Sequence, residues 1–252
     1  MVAYYNEMIL TRREFLAAAA AGGAAQAFRP AFAQTSQLPL PGPPGDPTPG
    51  RWRKLGLGDA DRDGLMYVPR QWKAEEPMPL LVLCHGAGNT SLSTQYSYQY
   101  ADEFGFIVLS PDSRDERTWE SIVGIWGPDL EFIGEAIRYV KRQCTLQEDH
   151  VGIAGFSDGA SYALSMGIGN GDLFSRIMAM SPGIMQPAVV RGKPRIFISH
   201  GTQDRVMPID ITSRKFVPRL KGLGYDVTYR EYEGRHQLPP EIAHIAYEWF
   251  SR

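Results

Sequence analysis

Three side chains in this 252-residue sequence have the types and positions to share one reaction. Ser157 stands in GFSDG, where an apolar run, VGIAGF, passes directly into the helix-spaced segment ASYALSMGI. A serine hydroxyl is a weak nucleophile and needs a base to take its proton. Of the histidines that follow, His236 lies in EGRHQLPP, a loop between a strand end and the last helix, from which it can reach across to the serine. His200 closes an apolar run ahead of the loop where an acid is expected, and His244 lies inside the last helix, which suits packing or a surface role. The base in turn needs an orienting carboxylate. Among the acids between serine and histidine, Asp204 alone sits in a short loop immediately beyond an apolar strand, in RIFISHGTQDRVMP. Nucleophile, acid and base in the chain order Ser157, Asp204, His236 point to acyl transfer through a covalent intermediate.

The glycines around the serine bear on this reading. A strand-to-helix turn this tight brings the residues two before and two after the serine against neighbouring backbone, and both positions, 155 and 159, are glycine. Taken alone, G-x-S-x-G in a chain with 26 glycines is an ordinary turn, and Asp204 and His236 taken singly are an ordinary cap and a surface polar group. Their coincidence at successive strand ends is what makes chance agreement improbable. A tetrahedral intermediate also needs backbone donors. One is the amide of Asp158, which contributes through its N–H rather than its carboxylate. The other is expected from the turn in LVLCHGAGNT, where Gly86 and Gly88 let the backbone approach and Ala87 N–H is the donor. His85 is expected to tie this turn together rather than act as a base.

These residues need elements to hold them. Apolar runs at 79–85, 105–111, 151–156, 176–182 and 195–201, followed by a further strand at 227–233, alternate with helical patterns at 94–104, 130–142, 160–168, 211–224 and 240–250. In the second of these, Leu130, Ile133, Ile137 and Val140 fall on one face. Strands apolar throughout and separated by helices predict an α/β fold with a mostly parallel sheet covered on both faces. LMYVPR (65–70) adds an earlier antiparallel strand at the edge. In such sheets the site lies beyond the carboxyl ends of the strands, so the chemistry should come from residues just after them.

Composition is that of a soluble globular domain, with 43% hydrophobic and 21% charged residues. A net charge of -2 offers nothing to a nucleic acid or an anionic membrane. Residues 1–33 contain Thr-Arg-Arg-x-Phe-Leu, an alanine-rich apolar stretch and Ala31-Phe32-Ala33, the features of a twin-arginine signal peptide with its cleavage site. The apolar stretch is too short for a comfortable membrane span, so no stable insertion is expected after processing. A Pro/Gly-rich linker occupies 34–50 and the catalytic domain 51–252. This organisation predicts a bacterial protein exported folded, through the twin-arginine machinery, to the periplasm or beyond. Cys84 and Cys144 should lie at opposite edges of the sheet, too far apart for a disulfide, and are expected as buried free thiols.

With these residues in view, the chain resembles the α/β-hydrolase superfamily across essentially Pro79 to Phe250. CHGAGN, GFSDGASYALSMG, SHGTQDRVMP and YEGRHQLPPEIAHIAYEWF carry the likeness. Within it, the chain is similar to the carboxylesterase/phospholipase group that includes acyl-protein thioesterases. It also resembles secreted feruloyl and polyhydroxybutyrate-depolymerase-like esterases. The resemblance implies an α/β-hydrolase fold and a serine esterase that needs no metal or organic cofactor. Only ten residues, too few for a large lid domain, separate Gly183 from Pro194, which predicts an open, shallow site for small-molecule esters of small or moderate acyl size. Trp119 and Trp126, in RTWESIVGIWGPD, are candidates for the acyl or aromatic side of the cleft, with ordinary core packing an equal competitor. The competing functions are a thioesterase or peptidase on the same residues, or a non-catalytic periplasmic binding module on the same fold.

Overall fold

Alternation along the strands decides the architecture. In the computed structural model, which describes residues 47–58, 61–120 and 127–252, eight strands form one sheet in the order β1-β2-β4-β3-β5-β6-β7-β8. They are β1 (Arg51–Lys54), β2 (Gly64–Val68), β3 (Met78–Cys84), β4 (Ile107–Pro111), β5 (Leu146–Phe156), β6 (Arg176–Met180), β7 (Arg195–Gly201) and β8 (Val227–Tyr232). β1 and β2 run antiparallel to their neighbours, and every pairing from β4 to β8 is parallel. The helices are α1 (Tyr98–Phe104), α2 (Pro128–Lys141), α3 (Asp158–Gly169), α4 (Ser213–Gly222) and α5 (Pro240–Ser251).

Because successive side chains of a strand point to opposite faces, each central strand feeds two cores. Leu80, Val82, Ile107, Leu109, Ile153, Ile177 and Ile196 pack on one face with α2, α3 and α4. Their neighbours Leu81, Leu83, Val108, Ala154, Met178 and Phe197 pack on the other with α1 and α5. The fully buried β3 residues stabilise the sheet by about 1.5–3 kcal/mol each through removal of apolar area from water. This three-layer arrangement is the α/β-hydrolase fold, as expected.

Several boundaries differ from the sequence reading. β2 is antiparallel, as expected, but is not the edge strand. That place belongs to β1, RWRK, whose charged and half-exposed residues give no apolar run to detect. β5 begins at Leu146 rather than 151, because the polar Gln147, Glu148 and Asp149 extend it past the body of the sheet. The segment expected as a helix from 94 opens as a 3-10 turn, Ser91–Ser97, before α1. Cys84 and Cys144 are buried and free, one at the C-terminal end of β3 and the other just before β5. The export signal at 1–33 and the linker at 34–50 lie outside the described residues, apart from 47–50.

Candidate active site

Ser157 follows β5 without an intervening residue and leads into α3. Its backbone has φ 59° and ψ -116°, a conformation that costs a non-glycine residue about 1–3 kcal/mol and persists only where surroundings enforce it. They do so through backbone contact. A Cβ on Gly155 would come within 2.3 Å of the Gly159 carbonyl, and one on Gly159 within 2.3 Å of the Cys84 carbonyl oxygen. The Ser157 amide donates to the Met180 carbonyl at 2.9 Å, tying the turn to β6. Along α3, Ser161 Oγ accepts from the Gly183 and Ile184 amides, and Ser165 Oγ from Gln186, so the loop after β6 is fastened to the same helix.

The two other residues singled out in the sequence arrive from the ends of β7 and β8. Ser157 Oγ lies 2.8 Å from His236 Nε2, and His236 Nδ1 lies 2.6 Å from Asp204 Oδ2. An ionised carboxylate only accepts, so Nδ1 carries the proton and Nε2 keeps its lone pair free for the serine hydroxyl. Asp204 is buried, and its Oδ1 accepts from the Val206 and Met207 amides at 2.9 and 2.8 Å. The Phe156 ring packs 4.8 Å from the imidazole. The loops are laced together by Thr202 N–H to Tyr232 O and Gln203 N–H to Gly234 O, both 2.9 Å.

The remaining histidines have other partners. His200 Nε2 donates to the Met207 carbonyl at 2.7 Å and sits 3.3 Å from Asp204 Oδ2, while its Nδ1 accepts from Ser213 Oγ. Burial lowers its pKa, so it braces the acid loop as a neutral ring. His85 accepts from the Ser113 amide at Nε2 and donates from Nδ1 to the Gly86 carbonyl. It too is buried, and desolvation lowers its pKa, in keeping with a structural part. His244 pairs at the surface with Glu103 at 2.8 Å.

A cavity of about 640 Å³ opens at the serine. Its walls include Ala87, Phe156, Ser157, His236, Tyr100, Leu238 and Ala243. Leu83, Tyr100 and Ala243 of the buried core share its lining with the exposed Tyr96 and Val206. The sequence reading missed Tyr96, Tyr100 and Leu238 as wall residues. They come from two stretches, one holding Tyr96 and Tyr100 and the other Leu238, that meet only in the folded chain.

Trp119 is not where a cleft residue would be. It is fully buried, stacks on Tyr162 of α3 with ring centroids 4.7 Å apart, and donates its indole N–H to the His85 carbonyl at 2.8 Å. The hydrogen bond and the stacking draw it inward, which corrects its assignment as a substrate-binding residue. Trp126 lies outside the described residues. Asp158, first residue of α3, has an amide with no intrahelical acceptor, and Ala87 lines the cavity from the turn after β3. The Asp158 carboxylate is engaged as well: it accepts from Thr118 Oγ1 at 3.0 and 3.2 Å and from the Trp119 amide at 3.3 Å. Among the described residues, no group of three or more His, Cys, Asp or Glu side chains is arranged to hold a metal ion.

Comparison with known proteins agrees with this geometry. The model of the phospholipase/carboxylesterase family matches residues 128–251, which contain Ser157, Asp204 and His236. The chain is an α/β-hydrolase. Over residues 128–251 it is similar to the carboxylesterases, which are serine-hydrolase enzymes. No curated protein matches this hydrolase in sequence. Among solved structures, esterase PE8 is 21% identical, with TM-score 0.61, 75% of this chain covered and 97% of that one. An S-formylglutathione hydrolase from Staphylococcus aureus is 16% identical, with TM-score 0.63 and coverage of 80% and 99%. A ferulic acid esterase from Anaeromyces mucronatus is 16% identical, with TM-score 0.61 and coverage of 86% and 92%. At these identities the likeness is one of fold.

Proposed function

We propose that this hydrolase cleaves carboxylic esters of small or moderate acyl size through Ser157, His236 and Asp204. The observation that carries the reading is the continuous hydrogen-bonded line from Ser157 Oγ to His236 Nε2 (2.8 Å) and from His236 Nδ1 to Asp204 (2.6 Å), opening on a largely apolar cavity.

His236 Nε2 takes the proton of Ser157 as Oγ bonds to the ester carbonyl carbon. Charge that collects on the carbonyl oxygen is met by the amides of Ala87 and Asp158, and the start of α3 favours that negative charge. His236 then returns the proton to the departing alkoxide, the carbon–oxygen bond breaks, and the acyl-enzyme remains. Water gives a proton to the same nitrogen as its oxygen bonds to the acyl carbon; the bond from that carbon to Ser157 Oγ then breaks, His236 returns the proton to Oγ, and the acid leaves with Ser157 restored. Asp204 stays ionised throughout, holding the imidazole in the tautomer the cycle needs and stabilising its protonated form. No cofactor enters these steps. The twin-arginine pattern at the N-terminus supports export and a periplasmic or secreted site of action.

The test is labelling with a fluorophosphonate probe together with hydrolysis of p-nitrophenyl esters. The protein should label and turn over acetate or butyrate esters, and Ser157→Ala should lose both, with a fall in kcat of at least about 10⁴-fold. Undiminished labelling of the alanine variant, or no labelling of the folded protein, would overturn the assignment. Long-chain esters far exceeding butyrate would overturn the acyl-size part alone, and matched thioester and amide substrates would separate esterase from thioesterase or peptidase.

A further inference from the structure

Both expected oxyanion donors lean on one short stretch of chain, Ser113–Trp119, which follows β4 and crosses between the turn after β3 and the start of α3. Toward the turn, the Ser113 amide holds the His85 ring, the Trp119 indole N–H holds the His85 carbonyl at 2.8 Å, and the Arg117 carbonyl receives the Gly88 amide at 2.9 Å. Ala87 lies between the residues so held. Toward α3, the stretch has one polar anchor, the carboxylate of Asp158, which receives the Thr118 hydroxyl and the Trp119 amide. The stacking of Trp119 on Tyr162 runs in the same direction.

Asp158 is only 5% exposed, so a carboxylate has been taken out of water next to the nucleophile. Burying a charge is costly unless it is hydrogen-bonded, and these two donors are what this one receives. Retention of an acid here calls for a gain elsewhere.

We propose that Asp158 is a positioning residue whose carboxylate, by clamping Thr118 and Trp119, keeps the Ala87 and Asp158 amides in register as one oxyanion hole. This rests on the ester-hydrolysis reading above and adds to it a role for a side chain that does not touch the substrate. Backbone donors aimed at a developing oxyanion act in the transition state and little in the ground state. A clamp that spaces them should therefore govern kcat and leave KM nearly unchanged.

The test compares Asp158→Ala with Asp158→Asn in the otherwise complete protein, using p-nitrophenyl acetate and a trifluoromethyl ketone that forms a tetrahedral adduct on the serine. Removing one oxyanion donor outright costs about 10²–10³-fold in kcat, so loosening two by loss of the clamp should cost Asp158→Ala about 10–100-fold. KM should stay within about threefold, and affinity for the ketone should fall in step with kcat. Asp158→Asn retains an oxygen to accept from Thr118 and Trp119 and should recover kcat to within about fivefold of the parent. Thr118→Val, which removes one donor and leaves Asp158 in place, should lower kcat by about three- to tenfold and guards against an alanine variant that fails to fold. Parental kcat in a folded Asp158→Ala, or in Thr118→Val if alanine is not tolerated, would overturn the clamp and leave the esterase reading standing. A rise in KM that matches the whole loss of kcat/KM would do the same. A parent protein that neither labels with fluorophosphonate nor turns over any ester would overturn both.

Discussion

The nucleophile and its base reach the same 2.8 Å contact from two differently built regions. Ser157 is held by buried backbone: β5 and α3 interlock at Gly155 and Gly159, and Gly159 in turn abuts the end of β3. His236 hangs in a surface loop where Glu233, Arg235 and Gln237 are exposed, and its place is set by a few hydrogen bonds and by contact with Gly201. The serine side carries backbone strain, so its surroundings must be rigid. The histidine side has to accept and return a proton, and it keeps an unstrained ring braced by Asp204 and Phe156. The difference predicts that equal steric insults will read out differently, as lost stability on one side and lost turnover on the other.

The largest effect is expected at Gly159. A methyl group there would meet the Cys84 and His85 carbonyl oxygens at 2.3 and 2.5 Å, inside packed sheet and helix that cannot yield. Overpacking typically costs 1–3 kcal/mol, and a clash with buried backbone on both sides belongs at or above the top of that range. Gly159→Ala should therefore lose about 3 kcal/mol or more in urea unfolding, with a fall in soluble yield. A variant of near-parental stability would show that the turn is looser than the contacts indicate.

Gly201→Ala is the counterpart on the other side. Its methyl would meet the carbonyl oxygens of Gly234 and Arg235, both at 2.5 Å, but those belong to the surface loop, which can move away. Moving it displaces His236, and a shift of about 1 Å in a reacting group can cost about 100-fold in rate. We expect a kcat loss of about 10–100-fold with about 1 kcal/mol lost in stability. A stability loss as large as that of Gly159→Ala, with kcat spared, would erase the contrast.

The same contrast explains what could be read from the sequence. Ser157, Asp204 and the turn at 85–88 each stand just beyond an apolar run, His236 stands beyond the mixed strand VTYREY, and the parallel sheet brings those strand ends to a common edge. The cavity wall could not be read this way. Tyr100 reaches it because α1 packs on α5, where its ring stacks on Tyr247 at 4.5 Å, a pairing across almost the whole hydrolase domain. Trp119 was ambiguous for a different reason. An aromatic residue after a strand suits a cleft or a core equally, and only the His85 carbonyl, offered to its indole N–H, decides between them. β1 was hidden because an edge strand needs no apolar periodicity to pair with its neighbour.

The smallest expected effect is one of pH, and it tests how dry the serine side is. Burial raises the pKa of Asp158 to about 6, with the Asp129 carboxylate adding to the rise while Thr118 and the Trp119 amide oppose it. An unfolded aspartate titrates near 3.9. The folded protein thus holds this proton more tightly than the unfolded chain, and the stability linked to it is fully present below about pH 4 and lost as pH rises through 6. Glu120 is likewise raised to about 6, chiefly by burial, but it is present in parent and variant alike and cancels in their difference. Asparagine at 158 carries no charge at any pH. In urea unfolding, the stability of Asp158→Asn relative to the parent should accordingly rise by about 1–3 kcal/mol between pH 4.5 and pH 8. A difference that stays flat would mean that the carboxylate is ionised in contact with water, and the nucleophile's surroundings would then be as open as those of the base.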